Sequence, residues 1–397
     1  MTRYIFFSKI VIFVYVFVAI AQTENIITVE QSGNGHYRKI QDAIDSVAPN
    51  NTESVTILVK PGIYKESISV PADKPLITIR GSTGNASDVI VTWDQRGDID
   101  KVATFHVGAS DFVGRYMTIQ NTYGPGHQAV ALRVSGDRAA FYECSIVGNQ
   151  DTLFDEIGRH YYQNCYIEGA VDFIFGSSAS LFETCHIHSV GKGYITAQRR
   201  EMPTENGGFV FFKCGISGQG TTFLGRPWDG VYARVIFAYT YMEDVIEPQG
   251  WGHSDGLREE DLRTKTLCGQ YRCDGPGATT SNRVEWAREF TDQQVAPYLT
   301  IQFINGKDWI KSSPTTISPP AAMPSSPKPM KKKTPLPPSA PVIPSLPPPA
   351  PMARPIVHGY EEGQPIIMYY SSGMFMTCFS CIGTFALSSA VLLYLLA

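Results

Sequence analysis

The sequence predicts an all-β chain wound as a single-domain parallel β-helix, and three observations carry that prediction. Short β-branched and aromatic runs broken by Gly, Asn and Asp recur through the body: "VTILV", "LITIRG", "DVIVTW", "AVALRV" and "RVIFAY". Helical periodicity is nearly absent; one helix is expected near Tyr37 to Val47, where Ile40, Ala43, Ile44 and Val47 recur at helical spacing. A repeat lies beneath the strands. "FYECSIVG" (141–148), "YYQNCYIEG" (161–169), "LFETCHIHS" (181–189) and "FFKCGISG" (211–218) share an aromatic–x–x–Cys–x–Ile core, and "FVGRYMTIQN" (112–121) is an earlier copy with Met117 in the Cys place. The steps from Cys144 to Cys165, Cys185 and Cys214 are 21, 20 and 29 residues. Short strands at this period mark a solenoid. The competing architecture, a β-sandwich, needs two-residue hairpin turns, and these are scarce.

The remaining segments follow in chain order. Arg3 and Lys9 precede an uncharged apolar stretch ending Ala19-Ile20-Ala21, which predicts a secretory signal peptide over 1–21 with cleavage after Ala21. The solenoid body is expected over 22–311. Between Ser312 and Pro355 lie 16 of the 27 prolines, so 312–365 is expected to be a disordered Pro/Ser-rich stalk. No charge follows Glu362, and 366–397 is expected to be an apolar tail, with Met374 to Ala397 long enough to span a bilayer. Nothing basic follows it, which favours a removable GPI signal with Ser371-Ser372-Gly373 as attachment candidates over a retained transmembrane helix. Either way a membrane tether through the C-terminus is expected.

Charge and cysteine usage narrow the class. The chain carries −4, with +2 in 1–21 and +3 in 313–397, which leaves −9 on the body. That body lacks a basic stripe, so nucleic acid is excluded as a partner. Asn50-Asn51-Thr52 and Asn85-Ala86-Ser87 are glycosylation sequons. Six of eight cysteines lie in the body, and no CxxC pair there suggests a metal. Cys144, Cys165 and Cys185 are either small buried residues stacked inside the coil or disulfide partners at rung spacing. Cys268 and Cys273 are close enough in sequence to pair locally. All of this predicts a secreted glycoprotein on the oxidising side of a membrane.

One charge is out of place. In "GAVDFIFG" (169–176), Asp172 sits in an apolar run with no cation within four residues. Burying a lone carboxylate costs several kcal/mol. Counting from the cysteines supplies a neighbour: Cys144 plus seven is Asp151, and Cys165 plus seven is Asp172. Equivalent positions on adjacent rungs stand about 4.8 Å apart, so the two aspartates form a pair. Two close carboxylates repel and divide the roles of nucleophile and acid between them. An Asp ladder capping solenoid turns is the bland alternative. "FLGRPWDG" (223–230) adds Arg226, able to hold a carboxylate bidentately, and Trp228, able to stack on a sugar. Gln128 and Gln150 offer amides that can stabilise an oxyanion.

"GIYKE" (62–66), "GHQAVAL" (126–132), "GNQDTLF" (148–154), "VDFIFG" (171–176), "YITAQRR" (194–200) and "LGRPW" (224–228) arrive in this order. From about Ile26 to Ile310 the chain resembles plant pectin methylesterases. The resemblance implies a right-handed parallel β-helix that hydrolyses the C6 methyl esters of homogalacturonan in the cell wall and releases methanol. It implies Asp172 as nucleophile, Asp151 as general acid and then base, and Gln128 and Gln150 at the oxyanion. Arg226 would orient Asp172, and Trp228 and Trp251 would line the sugar groove. No metal or organic cofactor is implied; pectin is the partner, with proteinaceous pectinesterase inhibitors as further partners of a monomer. Many relatives carry Tyr where Asn149 and Phe154 stand. Two other readings share these features: a pectate lyase or polygalacturonase, disfavoured by the lack of an obvious calcium cluster, and a non-catalytic wall adhesion protein, disfavoured by the intact Asp151, Asp172 and Arg226.

Overall fold

The computed structural model describes residues 25–253 and 256–310. The segments expected to be a signal peptide, a Pro-rich stalk and an apolar tail lie outside the described residues, as do Cys378 and Cys381. Among the described residues no helix is long and apolar enough to cross a membrane.

Three parallel sheets wrap one coil, with 11, 8 and 7 strands. The chain visits them in rotation, so each strand pairs with its counterpart one turn away. The first sheet runs from Asn25–Val29 to Arg288–Glu289, the second from Gly62–Lys65 to Tyr241–Met242, and the third from Ile68–Val70 to Phe223–Pro227. This is the expected parallel β-helix.

The repeat's two defining positions build the interior. Its aromatic residues stack as Phe141, Tyr162, Phe182, Phe211 and Phe237, with centroids 5.2, 4.6, 4.6 and 4.5 Å apart and planes within 10°. Its cysteines form a second ladder, buried and free as thiols. Each cysteine follows a residue in the left-handed region: Glu143, Asn164, Thr184 and Lys213 have φ between 52° and 55°, and Tyr116 before Met117 has 54°. That repeated turn lets the corner pass from the first sheet to the second. Cys268 and Cys273 are likewise free; Cys273 Sγ donates to Phe237 O at 3.3 Å, so the local pairing is not formed. The long step to Cys214 comes from an inserted loop between Tyr194–Gln198 and Gly208–Phe212.

The expected helix is present but shorter, Ile40–Asp45. Lys39 is still extended, and Tyr37 bridges Val29, so the sheet holds the chain until Ile40. Ile40, Ala43 and Ile44 are buried and close the N-terminal end of the coil. The Glu66 carboxylate, last residue of "GIYKE", accepts from the Ile40 and Gln41 amides at 3.1 Å and caps this helix. After the last strand, turns from Asp292 to Asp308 run back along the coil and pack Val295 and Ile304 onto the outer face of the first sheet.

The corner leading from the third sheet to the first holds a sealed polar network around Asp155. Asp155 and His160 are wholly buried; Asp155 accepts from His160 Nδ1 at 2.6 Å, Tyr162 OH at 2.8 Å, Ser178 Oγ at 2.6 Å and Ser180 Oγ. Burial works against this carboxylate, yet these partners hold it below the ordinary range.

Candidate active site

The third sheet carries the site. Leu153 and Ile174 point into the coil, and their neighbours Phe154 and Phe175 share one outer-face register row with Ala197 and Arg226. Phe154 and Phe175 stack at 4.6 Å with planes 2° apart, and Trp228 meets Phe175 edge-on at 5.6 Å. The Arg199 guanidinium lies 5.0 Å over the Trp228 ring, and the Arg133 guanidinium 5.6 Å over Phe154. Sugars stack on such platforms through their apolar faces.

The aspartates stand at the start of this row. The Gln150–Val171 bridge precedes them and the Leu153–Ile174 pair follows, both offset by the same 21 residues as Asp151 and Asp172. Asp151 has φ 60° and Asp172 φ 47°, a left-handed conformation that Asp tolerates better than most residues. The turn aims both carboxylates off the strand direction. Asp151 is 5% exposed and Asp172 9%.

Arg226 is the cation that Asp172 lacks locally. Its Nε donates to Asp172 Oδ1 at 3.0 Å and its Nη2 to Oδ2 at 2.6 Å, a two-pronged pair across 54 residues. Tyr194 backs the guanidinium, with its ring centroid 5.3 Å from Cζ. The glycine of "LGRPW" permits the approach: a Cβ on Gly225 would lie 1.9 Å from Thr196 Oγ1. Burial, then the negative charge of Asp172, pushes Asp151 up to about 7; a hydrogen bond from Gln128 and the charge of Arg226 act weakly the other way. One carboxyl is thus a proton donor near neutrality, while its neighbour is held by a guanidinium. Among the described residues no group of three or more His, Cys, Asp or Glu is arranged to hold a metal.

Most residues singled out in the sequence meet here. Gln128 is exposed and reaches Asp151, Gln150 is half-buried on the same rung, and Trp228 joins the platform. Trp251 does not. It is 2% exposed, packed between Phe237 at 6.0 Å and Trp286 at 6.2 Å, so it closes the end of the interior aromatic ladder and offers no ring face to a sugar. Phe154, Phe175, Tyr194 and Arg199 were not singled out as site residues. The signal for the first two was present, since both follow a paired Asp by three residues. In "YITAQRR", Gln198 and Arg200 are structural: Gln198 Oε1 accepts from the Arg200 and Arg234 amides, and Arg200 ties down Glu205 O and Tyr232 O.

Known proteins resemble this chain in sequence and fold. The pectinesterase family matches residues 26–307. Putative pectinesterase 11 of Arabidopsis thaliana is 48% identical over 298 residues, covering 74% of this chain and 83% of that protein. Pectinesterase 31 of the same plant is 40% identical, covering 71% and 93%. Among solved structures, the carrot pectin methylesterase superposes with a TM-score of 0.69 at 32% identity, over 73% of this chain and 96% of that one. The Aspergillus niger enzyme gives 0.65 at 34%, over 73% and 97%. A pectin methylesterase in complex with a hexasaccharide gives 0.62 at 27%, over 74% and 100%. The fold and the matches over most of the length of each relative agree, and the chain belongs to the pectinesterase family, the esterases that demethylate pectin.

Proposed function

We propose that this pectinesterase works through a covalent acyl-enzyme on Asp172. An Asp172 oxygen attacks the C6 carbonyl carbon of a methyl-esterified galacturonate, and the carbonyl electron pair moves to oxygen, where the Gln128 and Gln150 amides donate to it. The tetrahedral intermediate collapses, the bond to the methoxy oxygen breaks, and Asp151 delivers its proton to departing methanol. Asp151, now ionised, takes a proton from water, and the hydroxide cleaves the anhydride to free Asp172 and the product carboxylate. Arg226 orients Asp172 and balances its charge throughout. The single observation supporting this division is the Asp151–Asp172–Arg226 constellation, with one carboxyl pushed up to about 7 and the other clasped bidentately.

The setting proposed for this chemistry is the cell wall or the outer face of the plasma membrane, with the protein secreted, glycosylated and tethered through its C-terminal tail. Its partners would be methylated homogalacturonan and proteinaceous pectinesterase inhibitors. The acceptors of both sequons, Asn50 and Asn85, are exposed, which supports their glycosylation. Methanol release from methylated pectin tests the activity. Asp172→Asn, folded by circular dichroism, is expected to release essentially none; near-normal turnover would remove Asp172 from the nucleophile's role.

A further inference from the structure

The third copy of the repeat, "LFETCHIHS", contains a His-x-His that the esterase chemistry does not use. His186 and His188 lie on the strand His186–Ser189 of the second sheet, whereas the catalytic groups belong to the third. Ile187 between them is wholly buried, His186 is exposed and His188 half-buried, so both imidazoles stand on the outer face. Their ring centroids are 6.0 Å apart.

Both rings turn a nitrogen to one atom. His186 Nε2 lies 2.7 Å and His188 Nδ1 2.8 Å from Ser217 Oγ, on the neighbouring strand and in register with His188. Gly215 stands opposite His186, with open space where a side chain would be. A hydroxyl has one proton, so it can satisfy only one of the two nitrogens as an acceptor. Two imidazole nitrogens within hydrogen-bond distance of one hydroxyl oxygen bring together donor atoms of the kind that suit borderline divalent cations.

The surroundings suit a cation. Tyr166 walls the other side, edge-on to His186 at 5.4 Å and nearly parallel to His188 at 6.0 Å. Its hydroxyl donates to the carboxylate of Glu168, which is in register with His188, and the negative charge of Glu243 also reaches His186.

We propose that His186 and His188, with Ser217, bind one Zn²⁺, Ni²⁺ or Cu²⁺ ion on the outer face of the second sheet. Water fills the remaining positions, since no third His, Cys, Asp or Glu among the described residues closes the set. The site is independent of the esterase reading.

The test uses the full chain, secreted, free of any affinity tag and stripped with a chelator. Titration calorimetry with each metal chloride at pH 7.5 is expected to show one equivalent bound in the micromolar range by at least one metal. His186→Gln or His188→Gln is expected to weaken binding at least about tenfold, and the double variant to abolish it. Unchanged methanol release shows that the variants are folded. No binding of any of the three metals at micromolar protein, or binding retained by the folded double variant, would overturn the proposal.

Discussion

Replacing Arg226 separates two things the guanidinium does: it holds Asp172 by two hydrogen bonds, and it places a positive charge near Asp151. The side chains of Asp172 and Arg226 are 13% and 27% exposed. Removing one partner of a fully buried pair costs ~3–5 kcal/mol, and this partial exposure trims that to ~2–4 kcal/mol. Carried into the transition state at ~1.4 kcal/mol per decade, the loss is roughly 30- to 1000-fold in kcat/KM. The pH profile isolates the charge. Acylation needs Asp151 protonated in the free enzyme, so kcat/KM should fall as pH rises through about 7. The positive charge of Arg226 lowers the Asp151 pKa, so Arg226→Gln should move this limb to higher pH. Arg226→Lys keeps the charge but loses the fork: it should show much of the rate loss with the limb nearly unmoved. The assay is methanol release from methylated pectin between pH 5 and 9 for the three proteins. An Arg226→Gln enzyme within a fewfold of the parent, or a limb that moves down, would refute the assignment of both roles.

Two further predictions concern stability and binding. The native pKa of Asp151, about 7, lies above its unfolded value of ~3.9, so the folded state holds the extra proton and ionising Asp151 destabilises it as pH rises between the two. Asp151→Asn should therefore be inactive yet more stable than the parent at pH 8 by roughly 2–4 kcal/mol, with the gap closing towards pH 4; equal denaturation midpoints at pH 8 would contradict the raised pKa. The two tryptophans should part company. Trp228→Ala is expected to raise KM for pectin about tenfold, the worth of one stacked ring, with little change in unfolding. Trp251→Ala should cost ~3–5 kcal/mol of stability through the cavity it leaves. Loss of stability at Trp228 with unaltered KM would argue against the platform.

Residue order alone was enough to find the coil and the carboxylate pair. A solenoid repeats its backbone hydrogen bonding every turn, so the aromatic–x–x–Cys–x–Ile core had to recur, and counting seven from Cys144 and Cys165 put Asp151 and Asp172 on neighbouring rungs. The motif order then carried the family and the partner of Asp172.

Which way each side chain faces was decided by the tertiary structure. A strand alternates its faces by twos, but many corners here insert left-handed residues, and the loops are of unequal length, so periodicity is lost between sheets. Trp251 shows the consequence: its neighbourhood in the sequence suggested the groove, yet its bridge to Gly225 turns it inward onto Phe237 and Trp286. The cysteine ladder shows another, since rung spacing allows both thiols and disulfides, and only the placement of each Sγ against a carbonyl distinguishes them. The raised pKa of Asp151 belongs to the same class. It arises from burial and from a charge 21 residues away, and both exist only once the coil has closed.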